Sequence, residues 1–485
     1  MRKQTKILVA TALLALGASF TSMAAAKTGT WMLEDDGWYC YDKEGEAWED
    51  EFCLSYGKEY YMGDDGLMVT SDWVDYDEAT YYVGSDGSKT VADWRYLVPE
   101  DADEDEEAEW FYFDTKGKMV TSKKKVIDGK TYYFADNGVM LTGWVNTTTF
   151  SEAATTEDAV WCDENGARVS KEWIKTWTPD TETEDAEEED KEWYWIKSNG
   201  EVQTGRNLDI NGQTYFFGDD GKMLSGWVAL IDDEYVALEE AISTSGASAV
   251  YFCGSADQGW AKKNTWIKTW DPANYEDADA DVTQNWYWIA KSGKVYVPNA
   301  ASASAATEMT FADGSATTPF TASTSDATDF TTKEINDKTY AFNEDGEMLS
   351  GLIDVAGVGM YYFGGADDGA MKTGAQVIED EEGSEYKFFF AKKTDADDHY
   401  TEGVGVTGAA SGELFDNGLI QTASDSYKKV TVTIDGVPYT FVVDEDGDIR
   451  TAEKDYENED DEPLFSTKGY KFYTSGGAIK GAMYK

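Results

Sequence analysis

The sequence is poor in the residues that most enzymes use for acid–base and nucleophilic chemistry. Its 485 residues include one histidine, His399, together with four cysteines and seven prolines. A Ser/His/Asp or Cys/His arrangement would have to use His399, which stands in a polar stretch without a catalytic motif. Carboxylate pairs are abundant, yet no stretch free of repeats is long enough for a separate catalytic domain. We therefore predict a protein that is not an enzyme and uses no cofactor.

Basic residues are also scarce. The chain has 40 Lys and Arg against 95 Asp and Glu, which gives a formal net charge of −55. Such a negative field repels nucleic acid and anionic lipid, so neither is expected as a partner, whereas cations and basic surfaces are attracted. The simplest role of this acidity is to keep an aromatic-rich exported protein in solution.

Long apolar runs are absent beyond the N-terminus. Three basic residues lie within the first six positions, residues 7–20 are mostly apolar, and three alanines occupy 24–26. This pattern predicts a signal peptide over residues 1–26. The run is too short for a good membrane-spanning helix. We expect a secreted, extracellular protein without membrane insertion.

The four cysteines are too few for a disulfide framework in so long a chain, although export permits disulfides. Cys40 and Cys53 are close in sequence, and whether they pair is left open. Cys162 and Cys253 end aromatic strands at equivalent positions of two repeats, so we predict that both are small apolar core residues.

Aromatic residues are the abundant class, at 14% with 18 Trp and 30 Tyr. One phrase recurs: two aromatics, a turn with Asp or Asn before Gly, an apolar residue, then Thr or Ser and often Gly-Trp. An alternating aromatic strand followed by such a turn predicts a β-hairpin. Clear copies begin at Tyr60, Tyr81, Trp110, Tyr132, Tyr194, Tyr215, Trp286, Tyr340, Tyr361, Tyr439 and Tyr470.

A single hairpin is not stable in water, so the copies must stack on one another. The predicted fold is an all-β, β-hairpin solenoid of aromatic-rich repeats with acidic loop insertions between hairpins at 99–109, 179–191 and 271–283. We expect an N-terminal solenoid over 27–298, an Ala/Ser/Thr-rich linker or loop insertion over 299–333, and a C-terminal solenoid over 334–485.

Residues 129–138 read Gly-Lys-Thr-Tyr-Tyr-Phe-Ala-Asp-Asn-Gly, and Met140, Thr142, Gly143 and Trp144 follow. A second strong copy spans 212–227. The phrase resembles the cell-wall-binding repeats of Gram-positive surface proteins, which include choline-binding modules and glucan-binding repeats. The resemblance covers most of residues 37–485. It is specific for the repeat family and unspecific for the ligand.

The resemblance implies ligand pockets between consecutive hairpins. In choline-binding members, a Trp that closes one hairpin, a Trp that opens the next aromatic strand and a Tyr surround a quaternary ammonium by cation–π attraction. Several weak sites would act together through avidity. The best matches are Trp94 with Trp110, Trp173 or Trp177 with Trp193, and Trp266 or Trp270 with Trp286, with Tyr133 and Tyr215 as third walls.

Two departures from the family pattern support another interpretation of these tryptophans. Acidic insertions separate the members of each pair, and the opening Trp is replaced elsewhere by Thr80, Thr131, Thr214 and Thr339. The tryptophans would then only join one hairpin to the next. An acidic segment at 444–448 has part of a calcium-loop pattern, but we predict an ordinary hairpin turn there and no metal site.

Two classes of function follow from these observations. The first is a non-catalytic cell-surface protein that attaches non-covalently to cell-wall polymers or glycans, such as choline-substituted teichoic acid, through its aromatic repeats. The second is a structural or adhesive surface protein whose solenoid is a rod and whose acidic loops bind a protein partner or another copy of the chain.

Overall fold

The structure is a computed structural model. It describes residues 26–100, 102, 107–180, 187–238, 247–270, 284–298, 304–311, 320–355, 357–380, 383–393, 401–457, 461–469, 471–475 and 478–483. The predicted signal peptide, save Ala26, and His399 lie outside these residues. The described part is all-β, with a single 3₁₀ turn at Glu188–Asp190 and no α-helix. It also contains no helix with the length and apolarity that a membrane crossing needs.

The chain forms two compact units, and each is described by itself. The first runs to Thr204 and includes Asp220–Lys222, and the second comprises Gly205–Asp219 and the chain from Met223 onward. The strands of the first unit are β1 (Thr30–Leu33), β2 (Trp38–Tyr41), β3 (Glu51–Ser55), β4 (Lys58–Met62), β5 (Asp72–Tyr76), β6 (Ala79–Val83), β7 (Asp93–Leu97), β8 (Glu109–Phe113), β9 (Lys123–Ile127), β10 (Lys130–Phe134), β11 (Gly143–Asn146), β12 (Ser151–Glu152), β13 (Ala159–Cys162), β14 (Glu172–Thr176) and β15 (Glu192–Ile196).

The second unit holds the remaining strands. They are β16 (Gly205–Ile210), β17 (Gln213–Phe217), β18 (Trp227–Ile231), β19 (Glu234–Ala237), β20 (Ala249–Phe252), β21 (Thr265–Thr269), β22 (Asn285–Ile289), β23 (Ser304–Phe311), β24 (Phe320–Ile335), β25 (Lys338–Asn343), β26 (Met348–Leu349), β27 (Leu352–Val355), β28 (Gly359–Tyr362), β29 (Gly374–Glu379), β30 (Glu385–Phe390), β31 (Gly408–Ala410), β32 (Glu413–Asp416), β33 (Leu419–Ile420), β34 (Lys428–Ile434), β35 (Val437–Val443), β36 (Asp455–Glu457), β37 (Pro463–Ser466), β38 (Lys471–Ser475) and β39 (Ala478–Met483).

Most strands pair in antiparallel two-stranded hairpins, such as β5 with β6, β7 with β8 and β14 with β15. Larger sheets interrupt this pattern, including a six-stranded sheet of order β26-β25-β24-β23-β27-β28. The segment 299–333 that the sequence suggested as a linker or loop insertion contains β23 and most of β24, which ends at Ile335. The division of the chain at this segment stays a prediction.

The hairpins pair their strands differently from the way the sequence phrase suggests. The regular ladder joins the aromatic strand to the strand before it, as β6 to β5 and β8 to β7. The Asp-Gly turn that follows the aromatic strand instead closes a single bridge, between Phe113 and Met119 in one repeat. This turn therefore connects one hairpin to the next. The expected location of the acidic insertions between hairpins is wrong for the same reason: 98–108 connects β7 to β8, so the insertion at 99–109 lies within one hairpin.

The connecting turns are stabilised by their own acidic side chains. The Asp65 carboxylate accepts the N–H of Leu67 at 2.9 Å, and Asp86 accepts that of Ser88 at 3.0 Å. Such side-chain-to-backbone bonds are the reason that Asp and Asn favour turns. The glycine after each carboxylate, as at Gly66, takes a φ of 76°.

Within each unit, backbone hydrogen bonds stack one hairpin on another. In the first unit the Met119 N–H donates to the Thr80 carbonyl, and in the second the Met371 N–H donates to the Thr339 carbonyl, both at 2.8 Å. The predicted all-β fold of stacked aromatic-rich hairpins is confirmed.

The stack buries an aromatic core that single hairpins cannot form. Trp94 of β7 packs on Tyr112 of its own hairpin and on Tyr132 of the next, with ring centroids 5.0 and 4.9 Å apart. In the second unit Trp266 makes the same two contacts, with Trp288 at 5.3 Å and Tyr340 at 4.8 Å. Buried aromatic pairs of this kind add to the burial of apolar area.

The four cysteines are free and buried. Cys40 and Cys53 lie in one core cluster, and burial is the main cause that raises the pKa of each thiol. Cys162 and Cys253 are fully buried among apolar side chains. Burial raises the pKa of Cys162 to about 12.

Some turn glycines lie against a neighbouring hairpin and others do not, which predicts a position-dependent cost of alanine. Gly129 and Gly138 have φ of 81° and 85°. A Cβ on Gly129 would meet nothing within 4 Å, whereas one on Gly138 would lie 2.5 Å from Met119 Sδ. Gly129→Ala should therefore cost about 1–2 kcal/mol, from backbone strain alone.

Gly138→Ala should cost about 1–3 kcal/mol more, because the added methyl group overpacks the stacking contact. Chemical denaturation followed by Trp fluorescence measures both losses. Met119→Ala combined with Gly138→Ala should recover part of the difference, as a double-mutant cycle would show. Equal losses for Gly129→Ala and Gly138→Ala would contradict a restraint by the Met119 contact.

Candidate aromatic ligand site

Three hairpins place four large side chains on one face, at positions that correspond by register. In the β7–β8 hairpin, Trp94 lies opposite Tyr112 and Tyr96 lies opposite Trp110. Directly opposed residues in an antiparallel pair share a face, as do residues two apart along a strand. We call this set the Trp94 quartet.

The β14–β15 hairpin has a second set, the Trp173 quartet. Trp173 lies opposite Trp195, and Lys175 lies opposite Trp193. The Trp173 and Trp193 ring centroids are 6.3 Å apart at 89°, nearly the same geometry as Trp94 with Trp110, at 6.4 Å and 86°.

The β21–β22 hairpin has the third set, the Trp266 quartet. Trp266 lies opposite Trp288, and Lys268 lies opposite Trp286. Tyr96 of the first quartet is thus replaced by a lysine in the other two.

The pairs of tryptophans suggested by the sequence are therefore neighbours, but within one hairpin. Trp94 and Trp110 lie on the paired strands β7 and β8, and the same holds for Trp173 with Trp193 and Trp266 with Trp286. The acidic insertion connects the two strands along the chain, and its residues 101, 103–106, 181–186 and 271–283 lie outside the described part of the structure. It does not separate the two tryptophans, because the ladder brings them together across it.

Of the two tyrosines suggested as third walls, Tyr133 does not face Trp94. The ring against Trp94 is that of Tyr132, whereas Tyr133 is 2% exposed and packs 6.4 Å from Phe150. Neighbouring residues of a strand point to opposite faces, which is why a shift of one position changes the assignment. Tyr215 lies on β17, opposite Asn207, and follows Gly-Gln-Thr as Tyr132 follows Gly-Lys-Thr, so its role as a third wall stays a prediction.

Trp177 and Trp270 take part in joining hairpins. Each follows the first strand of its hairpin, and each carbonyl accepts an indole N–H from the preceding repeat, Trp144 to Trp177 at 2.8 Å and Trp227 to Trp270 at 2.9 Å. The Trp177 ring is itself covered by the Lys191 ammonium at 4.0 Å. This geometry fits the interpretation that these two tryptophans join one hairpin to the next.

The quartets differ in how accessible their aromatic faces are. In the Trp94 quartet, Trp110 is 43% and Tyr96 is 56% exposed, and their rings lie 5.2 Å apart. Among the described residues, no lysine or arginine lies over the Trp110 ring. By contrast, the Lys175 ammonium lies 5.8 Å from the centroid of Trp193.

Lys268 has the same position over Trp286, again 5.8 Å from the ring centroid. Its ammonium also pairs with Asp367 at 2.6 Å, and the same carboxylate oxygen accepts the Trp286 indole N–H at 3.0 Å. The hydrogen bond from Lys268, and then that from Trp286, lower the pKa of Asp367.

Sequence reasoning missed Tyr96, Lys175 and Lys268. The signal for the lysines was present, because the phrase Trp-Ile-Lys-Thr-Trp occurs at 173–177 and again at 266–270. Strand alternation places each lysine on the same face as the first Trp of the phrase. The facing Trp on the partner strand follows only from the register.

The acidic segment at 444–448 is a hairpin connection, as predicted. Asp444 forms an ion pair with Arg450, and its carboxylate accepts the Asp448 N–H at 2.9 Å. Among the described residues, no group of three or more His, Cys, Asp or Glu side chains could hold a metal ion.

Stacked hairpins that present Trp and Tyr on one face define a class of aromatic repeat protein. Residues 106–142, which include Trp110 and Tyr132, match the family model of the choline-binding repeat. Residues 208–223, which include Tyr215, match that of the cell wall binding repeat. The resemblance found in the sequence is thereby confirmed, and the chain carries the cell-wall-binding repeats that are typical of choline-binding proteins of Gram-positive bacteria.

Individual known proteins are similar over different shares of their length. Glucosyltransferase-S of Streptococcus mutans is 28% identical over 190 residues, which cover 39% of this chain and 10% of that protein. CbpJ of Streptococcus pneumoniae is 18% identical, with a TM-score of 0.39, over 69% of this chain and 98% of CbpJ. The choline-binding domain of CbpL from the same species is 24% identical, with a TM-score of 0.31, over 49% and 98%. The chain thus spans a tenth of the curated relative.

The contact between Lys268 and Asp367 predicts a pH dependence. The folded-state pKa of Asp367 is lowered, so the pair stabilises the fold above the unfolded value of about 3.9, and this contribution is lost as pH falls through the folded pKa. Lys268→Ala should raise the Asp367 pKa toward that ordinary value, as carboxyl carbon NMR shifts would report.

A matched control is available at another ion pair. Lys58 pairs with Asp86 at 3.0 Å, and hydrogen bonds from Ser88 and Lys58 lower the pKa of Asp86 to about 2. Lys58→Ala should raise the Asp86 pKa and leave that of Asp367 unchanged. An Asp367 pKa that does not respond to Lys268→Ala would show that the pair is not formed in solution.

Proposed function

We propose that this protein is a non-catalytic, secreted cell-surface protein that attaches non-covalently to cell-wall polymers through its aromatic repeats. The ligand class proposed is a polymer bearing quaternary ammonium groups, such as choline-substituted teichoic acid. The observation that carries this proposal is the Trp94 quartet, whose Trp110 and Tyr96 rings are exposed and which lies partly within the matched choline-binding repeat.

The chemistry of the Trp94 quartet suits a cation of low charge density. Trp110 stands nearly perpendicular to Trp94 at 86°, and Tyr96 is tilted by 45° against Trp110, so the rings present more than one face and edge to solvent. The negative face of an aromatic ring attracts a cation, and each such contact contributes about 0.5–2 kcal/mol. An ammonium that carries methyl groups also gains from contact with the apolar rings.

The surrounding charge favours the same ligand. Glu109 precedes Trp110 on β8 and is exposed, and the chain as a whole has a net charge of −55. Such a field attracts cationic groups and repels a polyanion that lacks them. A teichoic acid would therefore bind through its choline substituents and not through its phosphates.

One weak site would not retain a protein on a wall. A polymer presents the same group many times, and repeated weak contacts on one chain combine through effective concentration. The proposal thus requires retention on a multivalent surface and only weak binding of the free ligand.

The test is retention of the full chain on choline-agarose, with elution by free choline chloride. Trp110→Ala removes one exposed wall of the quartet and should weaken choline binding about tenfold, in line with the loss of one to two cation–π contacts. The matched control is Trp38→Ala. Trp38 is 42% exposed on β2 and lies outside the three quartets, so this variant should be retained like the parent.

Other outcomes would redirect the proposal. Parallel columns of glucan and of purified cell wall lacking choline test whether a glycan is the ligand. Failure of the parent chain to bind choline-agarose and choline-bearing wall would overturn choline recognition. Together with self-association or retention by a basic protein surface, that failure would favour the alternative of a structural or adhesive surface protein.

A further inference from the structure

We infer that Lys175 and Lys268 are built-in ammonium ligands that close the Trp173 and Trp266 quartets to external cations, and that the residue at this position sets which quartets can bind. This inference deepens the proposed function, since it concerns which quartets are open to the same ligand class. It names a specificity-determining position occupied by Tyr96, Lys175 and Lys268 in the three hairpins.

The register establishes that the three residues are equivalent. Each lies two residues after the first Trp of its strand and directly opposite the Trp that opens the partner strand. The backbone frame is the same, because the first and opening tryptophans of the Trp94 and Trp173 quartets have nearly equal separations of 6.4 and 6.3 Å. The residue opposite the first Trp is aromatic in all three quartets, as Tyr112, Trp195 and Trp288, so this position is where a cation replaces an aromatic ring.

The lysines are positioned as internal cations. Both ammonium groups lie 5.8 Å from the centroid of the Trp ring across the ladder, within the range of a cation–π contact. The Lys268 ammonium also forms an ion pair with the Asp367 carboxylate at 2.6 Å, which helps to fix its orientation. The same carboxylate accepts the indole N–H of Trp286, so ring, ammonium and acid form one connected group.

A second cation cannot use the same ring face without cost. The incoming ammonium would have to displace the lysine or approach it closely, and like charges at contact distance repel. The lysine is tethered, so its local concentration at the ring is far higher than that of a free ligand. Trp193 and Trp286 are half-buried, whereas Trp110 is 43% exposed.

The sharpest test exchanges the residue in both directions in the full chain. Lys268→Tyr and Lys175→Tyr reproduce the residue of the Trp94 quartet, and Tyr96→Lys reproduces the closed quartets. Titration calorimetry with choline chloride measures stoichiometry and Kd. Lys58→Tyr is the matched control, because it makes the same change on β4, at a lysine whose exposed side chain pairs with the 86–88 turn and lies outside the three quartets.

Each lysine-to-tyrosine variant should bind one more molar equivalent of choline than the parent, with a Kd within about tenfold of the parent site. Tyr96→Lys should bind one equivalent fewer, and Lys58→Tyr should match the parent. The neutral isostere 3,3-dimethylbutan-1-ol should fail to reproduce the added binding, since the attraction depends on charge. Lys268→Ala and Lys175→Ala provide the same readout if either tyrosine variant fails to fold.

The inference and the proposed function fail in different ways. Parent binding that Trp110→Ala weakens, with no added equivalents in any lysine variant, would overturn the inference and leave the proposed function standing. Added equivalents in the lysine variants of a parent that itself binds no choline would support the inference and overturn recognition by the Trp94 quartet. Absence of choline binding in every variant would overturn both.

Discussion

The rest of the structure depends on one contact, in which the first Trp of a hairpin packs on the aromatic strand of the hairpin that follows. Trp94 and Trp266 make it with Tyr132 and Tyr340, at 4.9 and 4.8 Å. A two-stranded hairpin has no interior of its own, so each aromatic face is buried only by its neighbour. The stacking distance then constrains the connecting turns, as at Gly138, where an added Cβ would meet Met119.

The repeated phrase was sufficient to predict hairpins, turns with positive φ and an aromatic core, because these depend on local chemistry and on a period that is visible in the chain. It was not sufficient to assign the strand pairs, since each aromatic strand has a possible partner on either side. In the structure each aromatic strand pairs with the strand that precedes it. The acidic insertions therefore lie within hairpins and not between them. The same register decides that Tyr132, and not Tyr133, lies on the face of the strand that packs against Trp94.

The scarce cations of this acidic chain lie on aromatic rings at several places besides the quartets. Lys89 lies between Phe52 and Tyr81, at 4.7 and 5.3 Å from their centroids. Lys454 lies between Tyr427 and Tyr456 in the same way, at 5.1 and 4.6 Å. Aromatic rings attract cations, and so does a chain with a net charge of −55. The lysines of the chain itself provide many of the cations on these rings.

The hairpin tips differ in length on the same kind of ladder. The β9–β10 hairpin turns through two residues, Asp128 and Gly129, whereas the β7–β8 ladder ends at the pair Leu97 and Glu109 before its long acidic tip. Lengthening a loop costs only slowly increasing entropy once its ends are held together. The repeat can therefore accept new sequence at its tips without disturbing the stack, so that length and charge at the rim can diverge independently of the aromatic interior.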